Sequence, residues 1–474
     1  MHWVGISPSW LLKTQILKPT TQSNVQDEPE EPPKMKFIHE QIAGKHLTLI
    51  ISKIRNWLLQ SIPSDLTSKV AETFSTRILL ILLSLVTSIL VARILGPQAR
   101  GLYAVALTIA MIGVQLSNLG LHSSNTFQIA KNPGLMPSLL GNSLWISFIF
   151  GSFCAAIAGA VFYIFPEFAP VQGYLLFLAL AWIPFGLAFL LTQNLLIGIQ
   201  EIREFNKIEI INKVTAISLI LLLISLNSTS AESIFSVALI TMIFCLILTI
   251  KKITKHLSRP PHLSLSLFKR NLSYGVKSYL GSLITFLLLR IDLLMVDQML
   301  GKKEAGFYDI AINLSEMVYL FPLVVSMILF PKLCSTQNNE EKWKLSKNVG
   351  KVLLIIMILL CGLVALVARP VVEILYGQAF LACVPAFTIL VISKFIMSIN
   401  SIFSNFIGSI RVPWSMVPFC FLVLGVNVIL NFFLIGKIGT VGAAIASAIS
   451  FSLLIPFYCF YTMKYLRAGQ ASSS

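Results

Sequence analysis

Four ionisable side chains sit where an apolar chain should carry none. Arg290 and Asp292 interrupt LLLRIDLLMVD (287–297), Glu316 falls inside the apolar run 307–330, and Lys394 lies near the middle of the run 381–405. In hydrocarbon a charge at a helix centre costs roughly 3 kcal/mol, so it is retained for a partner or a task. Cations at such depth can hold anionic groups, the guanidinium through its planar fork and the ammonium as a point charge. Carboxylates there can carry protons or bind sodium. The plainer alternative is an inter-helix ion-pair network that fixes packing. On a continuous helix Arg290 and Asp292 point about 200° apart, so each needs a partner on another helix or in water. Arg290 is thirteen residues beyond Lys277. That is about 20 Å of helix rise, slightly past mid-membrane. Asp297 and Asp309 fall near helix ends and are expected at the interface.

The elements that must position these groups follow from composition. Of 474 residues, 56% are hydrophobic and 12% charged, with a mean hydropathy of +0.82. Soluble domains carry about 25% charged residues. The chain therefore reads as a polytopic membrane protein rather than a soluble or nucleic-acid-binding one, despite a net charge of +16. Seven scattered cysteines and six histidines form no CxxC or metal-ligand spacing. No P-loop, GxGxxG or nucleophile elbow is present, so the sequence predicts no enzyme, metal or organic cofactor.

Twelve apolar runs of spanning length follow residue 73, at about 74–95, 102–121, 140–164, 173–197, 208–227, 232–250, 276–298, 307–330, 350–369, 381–405, 414–435 and 440–463. Loops after the even-numbered runs and the C-terminal tail, with their helix flanks, hold 19 Lys or Arg; those after the odd runs hold six. The asymmetry predicts both termini in the cytoplasm. Residues 1–73 read as a cytoplasmic extension, acidic and proline-rich at QDEPEEPPK (26–34) and amphipathic at HLTLIISKIRNWLLQ (46–60), with Met35 as an alternative start. Residues 74–250 and 276–463 form two six-helix halves, joined by the basic linker 251–275 and followed by the tail 464–474.

The halves repeat. ILVARILGPQARGLYAVALTI (89–109) aligns with LMVDQMLGKKEAGFYDIAINL (294–314) at an offset of 205: Leu95-Gly96 with Leu300-Gly301, Gly101 with Gly306, Tyr103 with Tyr308. Six helices per half is an even number. Both halves therefore enter the membrane in the same sense, as parallel repeats about an axis along the membrane normal. The equivalents of Arg290, Asp292 and Glu316 are Leu85, Thr87 and Met111, so the sequence places every deep charge in the second half. The first half offers Gln115, Asn118, Gln193 and Asn194. Gly442, Ala446 and Ser450 share one helix face and predict close helix approach, with Asn427 and Asn431 as inter-helix hydrogen-bonding groups.

LVARILGPQARGLYAVA, RIDLLMVDQMLGKKEAGFYDIA, EILYGQAFLACVPAFTIL and GKIGTVGAAIASAIS, in that order, resemble the polysaccharide-unit flippases. These form the polysaccharide transporter branch of the multidrug, oligosaccharidyl-lipid, polysaccharide (MOP) exporter superfamily. The resemblance covers about residues 65–465. It implies an all-α integral membrane fold of about 12 transmembrane helices in two MOP/MATE-like six-helix lobes. It also implies flipping of undecaprenyl-pyrophosphate-linked oligosaccharide units across the bacterial inner membrane for polysaccharide biosynthesis. On that reading Arg290 and Lys394 hold the anionic lipid-sugar, while Asp292 and Glu316 serve proton or sodium coupling or ion pairing. The partners implied are the lipid-linked oligosaccharide, membrane lipids and a polysaccharide polymerase. A cation-coupled drug exporter of the same superfamily is the alternative, but helix one carries no acid of the kind expected there. A peptidoglycan-precursor flippase is expected to have fourteen helices. A membrane glycosyltransferase needs larger catalytic loops than this chain has.

Overall fold

The computed structural model describes residues 64–471. The acidic segment 26–34 and the amphipathic stretch 46–60 lie outside them. The described residues divide into two units, 64–79 and 80–471, and the second holds every contact discussed below.

Thirteen α-helices account for nearly all described residues. The first half comprises α1 (Ser64–Asn118), α2 (Leu121–Lys131), α3 (Met136–Ile164), α4 (Gly173–Gly198), α5 (Ile202–Ser225) and α6 (Ala231–Thr254). The second comprises α7 (Leu265–Leu288), α8 (Ile291–Leu300), α9 (Lys302–Ser335), α10 (Asn339–Tyr376), α11 (Val384–Gly408), α12 (Met416–Ile438) and α13 (Thr440–Ala471). Among the described residues, eleven stretches are long and apolar enough to cross a membrane. The first, Ser75–Asn118, contains two of the twelve sequence runs, because Gly96 interrupts the helix with non-helical angles (φ 68°, ψ 176°). All-helical spans are what lipid demands, since every backbone polar group must be paired within the segment.

The repeat holds at the level of backbone torsions. Gly301 adopts φ 89°, ψ 176°, matching Gly96. Only glycine enters that region at little cost, which explains the LG signature at both turns. The two turns define one end of the bundle, called here the Gly96 end. At the opposite end Leu119 (φ 50°) and Gly120 (φ 77°) break the chain between α1 and α2.

Within the first half α3 packs on α4, α4 on α6, and α2 on α4. In the second, α11 lies between α9 and α13, with α12 against α13. Gly442 sits so close to the Leu434 carbonyl that a side chain would not fit, in line with the small-residue face expected there. Helix α7 departs from this division. It packs on α2 and α3 of the first half and on α12 of the second. The chain expected to run straight through 276–298 instead breaks at Leu289–Arg290, and Arg290 heads the ten-residue α8.

Candidate functional site

The break between α7 and α8 places Arg290 eleven residues before Gly301. That is about 16 Å of helix rise from the Gly96 end, close to half the roughly 30 Å hydrocarbon thickness. Its Nη2 lies 3.2 Å from Glu316 Oε1 on α9. The Arg290 side chain is 11% exposed and that of Glu316 37%. A carboxylate at that depth is expected on a wet surface of the bundle rather than against hydrocarbon. Lys394 on α11 is buried and lies within electrostatic reach of Glu316, Arg290 and Asp292. Among the described residues it makes no hydrogen bond and no ion pair. Arg290, Glu316 and Lys394 therefore form one cluster, drawn from the helix break, α9 and α11.

Asp292 is held separately, by neutral groups. Asn431 Nδ2 donates to Oδ1 at 2.7 Å. Ser447 Oγ donates to Oδ2, and Tyr308 Oη donates to the same oxygen at 3.3 Å. Asn431 Nδ2 also donates to Asn427 Oδ1 at 3.0 Å. Asn427 Nδ2 and Asn431 Oδ1 are sealed from solvent without partners. Amide orientation is interchangeable, so the cage presents either carbonyl or amino groups around the carboxylate. Asn427 and Asn431 pair within α12; the inter-helix contact expected of them is made by Asn431, to Asp292 on α8. Tyr308 and Ser447 as carboxylate partners were not read there, because they are contributed by α9 and α13.

The structure corrects two expectations and refines a third. Asp297 and Asp309, expected at the membrane interface, are buried within the protein near the Gly96 end. Asp297 pairs with Lys302, and Asp309 Oδ2 accepts from Arg100 Nε at 2.8 Å and Nη2 at 2.6 Å. Deep charge is not confined to the second half either. Glu209 and Lys213 lie within α5, Glu209 buried and Lys213 in electrostatic reach of it. Finally, Arg290 is not on a continuous helix. Of the first-half polar groups, Asn118 contacts the His122 ring, Asn194 donates to the Leu190 carbonyl, and both Gln193 amide atoms are buried without partners.

At the Gly96 end the halves meet in a dense seam. Besides Arg100–Asp309, Arg93 Nε donates to the Leu375 carbonyl at 2.8 Å and Tyr376 Oη to Ser88 Oγ at 3.2 Å. Lys302 Nζ donates to the Pro170 carbonyl.

Comparisons with known proteins place this architecture. Over 230 residues the chain is 23% identical to the probable low-salt glycan biosynthesis flippase Agl15 of Haloferax volcanii, covering 48% of each chain. Over 198 residues it is 27% identical to the lipopolysaccharide biosynthesis protein WzxC of Escherichia coli, covering 40% of this chain and 38% of that one. The matches thus span less than half of these curated relatives. Among solved structures, an inward-facing multidrug resistance MATE transporter of the MOP superfamily superposes with TM-score 0.69 at 15% identity, covering 83% of this chain and 96% of that one. The lipid II flippase MurJ in an inward closed conformation does so with TM-score 0.67 at 16% identity, covering 82% and 86%. The fold is that of the MOP superfamily, in a multi-pass membrane protein. The sequence profile of one family spans residues 90–385, more than half of the chain, from the seam of α1 past Arg290 and Glu316 to the start of α11: the chain belongs to the polysaccharide biosynthesis protein family.

Proposed function

We propose that this protein flips undecaprenyl-pyrophosphate-linked oligosaccharide units across the cytoplasmic membrane by alternating access of its two six-helix lobes. The observation that carries the reading is the pair of cations, Arg290 and Lys394, within electrostatic reach of each other at mid-depth and of the partly exposed carboxylate of Glu316. Arg290 has one ion-pair contact and Lys394 none, so both retain capacity for an anion. A lipid pyrophosphate supplies that anion on a molecule whose tail stays in hydrocarbon. Family membership and the relatives named as glycan flippases support the same class of cargo.

With the basic loops in the cytoplasm, the Gly96 seam lies on the outer face. The described conformation is then closed toward the outside. Asp292 in its neutral cage is the group we assign to proton or sodium coupling, because a cation entering there would meet a carboxylate and several oxygens. The buried Glu209 does not revive the drug-exporter reading, because that acid lies in α5 and not in helix one.

Deletion of the gene tests the proposal. One polyprenyl-linked glycan is expected to accumulate in the cytoplasmic leaflet and to disappear on complementation with wild type. Absence of accumulation, in cells with no redundant flippase, would exclude this function.

A further inference from the structure

Two inter-helix Arg–carboxylate pairs among the described residues are built differently. Arg100 binds Asp309 through two nitrogens at 2.8 and 2.6 Å, with both side chains sealed. Arg290 touches Glu316 through one nitrogen at 3.2 Å, longer than the 2.7–2.9 Å usual for a charge-assisted bond. The Glu316 side chain is 37% exposed against 8% for Asp309. Its carboxylate can leave the guanidinium and remain solvated. The other guanidinium nitrogens of Arg290 make no hydrogen bond among the described residues, nor are they sealed from solvent. Lys394, unpaired, lies within electrostatic reach of the same carboxylate.

We propose that Glu316 is a displaceable counter-ion, which an incoming anionic headgroup exchanges for its own phosphate on Arg290 and Lys394. This deepens the proposed function and rests on it. An empty site with two uncompensated cations in hydrocarbon would be costly to carry through the return stroke. It would also grip an anion too tightly to let it go. A tethered carboxylate eases both problems. It cancels one of the two positive charges of the empty site, gives way when a phosphate with more oxygens arrives, and competes for Arg290 again when the site opens to the other side. No bond is made or broken in the exchange.

The test is equilibrium binding of a polyprenyl pyrophosphate to the purified full-length protein, with inorganic pyrophosphate in parallel. Glu316→Gln keeps the shape and removes the charge. It is expected to bind both probes about tenfold more tightly than wild type, since a charged hydrogen bond no longer has to be displaced. The gain should vanish in an Arg290→Gln background, while Lys394→Gln alone should weaken binding. In a leaflet assay Glu316→Gln should turn over more slowly despite the tighter binding. Affinity unchanged or reduced in Glu316→Gln, or a gain that persists without Arg290, would overturn the exchange. A gain for the lipid probe alone would also overturn it, because the competitor would then not be phosphate. Failure of wild type to bind the lipid probe would instead sink the proposed function itself.

Discussion

Gly101 and Gly306, equivalent positions of the two repeats, pack directly against each other. A Cβ on Gly101 would stand 2.9 Å from the Gly306 nitrogen, and one on Gly306 would stand 3.0 Å from the Gly101 nitrogen. The pseudo-symmetry axis therefore passes between these glycines. Each added methyl would also strike backbone, the Lys302 carbonyl in one case and the Pro97 carbonyl in the other. Backbone cannot rotate aside as a side chain can. Gly101→Ala and Gly306→Ala should each cost at least about 1–3 kcal/mol in the conformation seen here. Gly281→Ala, with nothing within 4 Å of the new Cβ, is the neutral control. Thermal unfolding in detergent should separate the first two from the third by several degrees. Equal melting temperatures would mean that the halves do not meet here.

Next to that crossing, Arg100 and Asp309 tie α1 to α9. Both residues are 5% exposed, so removing one partner leaves the other charge buried. Breaking such a pair costs roughly 3–5 kcal/mol, whereas replacing both partners by apolar residues is often tolerated. Arg100→Leu and Asp309→Leu should each destabilise strongly, and the double variant should recover much of the loss. An additive double variant would contradict the pair. A cysteine placed on the seam should also react faster with a water-soluble maleimide in Arg100→Leu, as the closed end opens.

Tyr308 connects the Asp292 cage to this seam, because it neighbours Asp309 on α9. Tyr308→Phe leaves Asp292 with two of its three hydrogen-bond donors. The loss of one such bond should cost about 1–3 kcal/mol. If Asp292 carries the coupling ion, Asp292→Asn should retain the fold and abolish ion-driven transport, while Tyr308→Phe shifts its ion dependence. Transport by Asp292→Asn at the wild-type rate under an ion gradient would remove Asp292 from coupling.

The sequence made the repeat legible because glycine is required where Gly96 and Gly301 adopt the same unusual torsions. The charged stretch 287–297 was legible as exceptional for a different reason: charge in an apolar run is costly enough to stand out. The partners were not legible. Asp309 finds Arg100 from 209 residues away, and Asp292 draws Asn431 and Ser447 from 139 and 155 residues away. No local pattern encodes such pairings. The break at Leu289–Arg290 was hidden as well, since LLLRID contains neither glycine nor proline. Glu209 and Lys213 escaped because they sit at the start of an apolar run, where a boundary shift of a few residues makes a buried charge look like a flanking one.

The opposite end carries its own glycine contact, and it discriminates between two sources of cost. Gly120 and Gly275 approach so closely that a Cβ on either meets the other's carbonyl. Gly120 is also left-handed (φ 77°), a conformation costing L-residues roughly 1–2 kcal/mol. Gly275 carries no such torsional demand, so Gly275→Ala should suffer only from the contact. Gly120→Ala should suffer from both. The nearby Tyr279 hydroxyl, which donates to the Gln115 carbonyl across the same junction, gives a third handle. Tyr279→Phe should loosen α7 from α1 with no steric change. Melting temperatures should then rank Gly120→Ala below Gly275→Ala, and Gly275→Ala below wild type. If this junction separates during transport, the two alanine variants should also favour the separated state, and a cysteine near Gln115 should label faster in them. Should Gly275→Ala prove as damaging as Gly120→Ala, the contact alone would account for the loss, and the left-handed torsion would carry no separate weight.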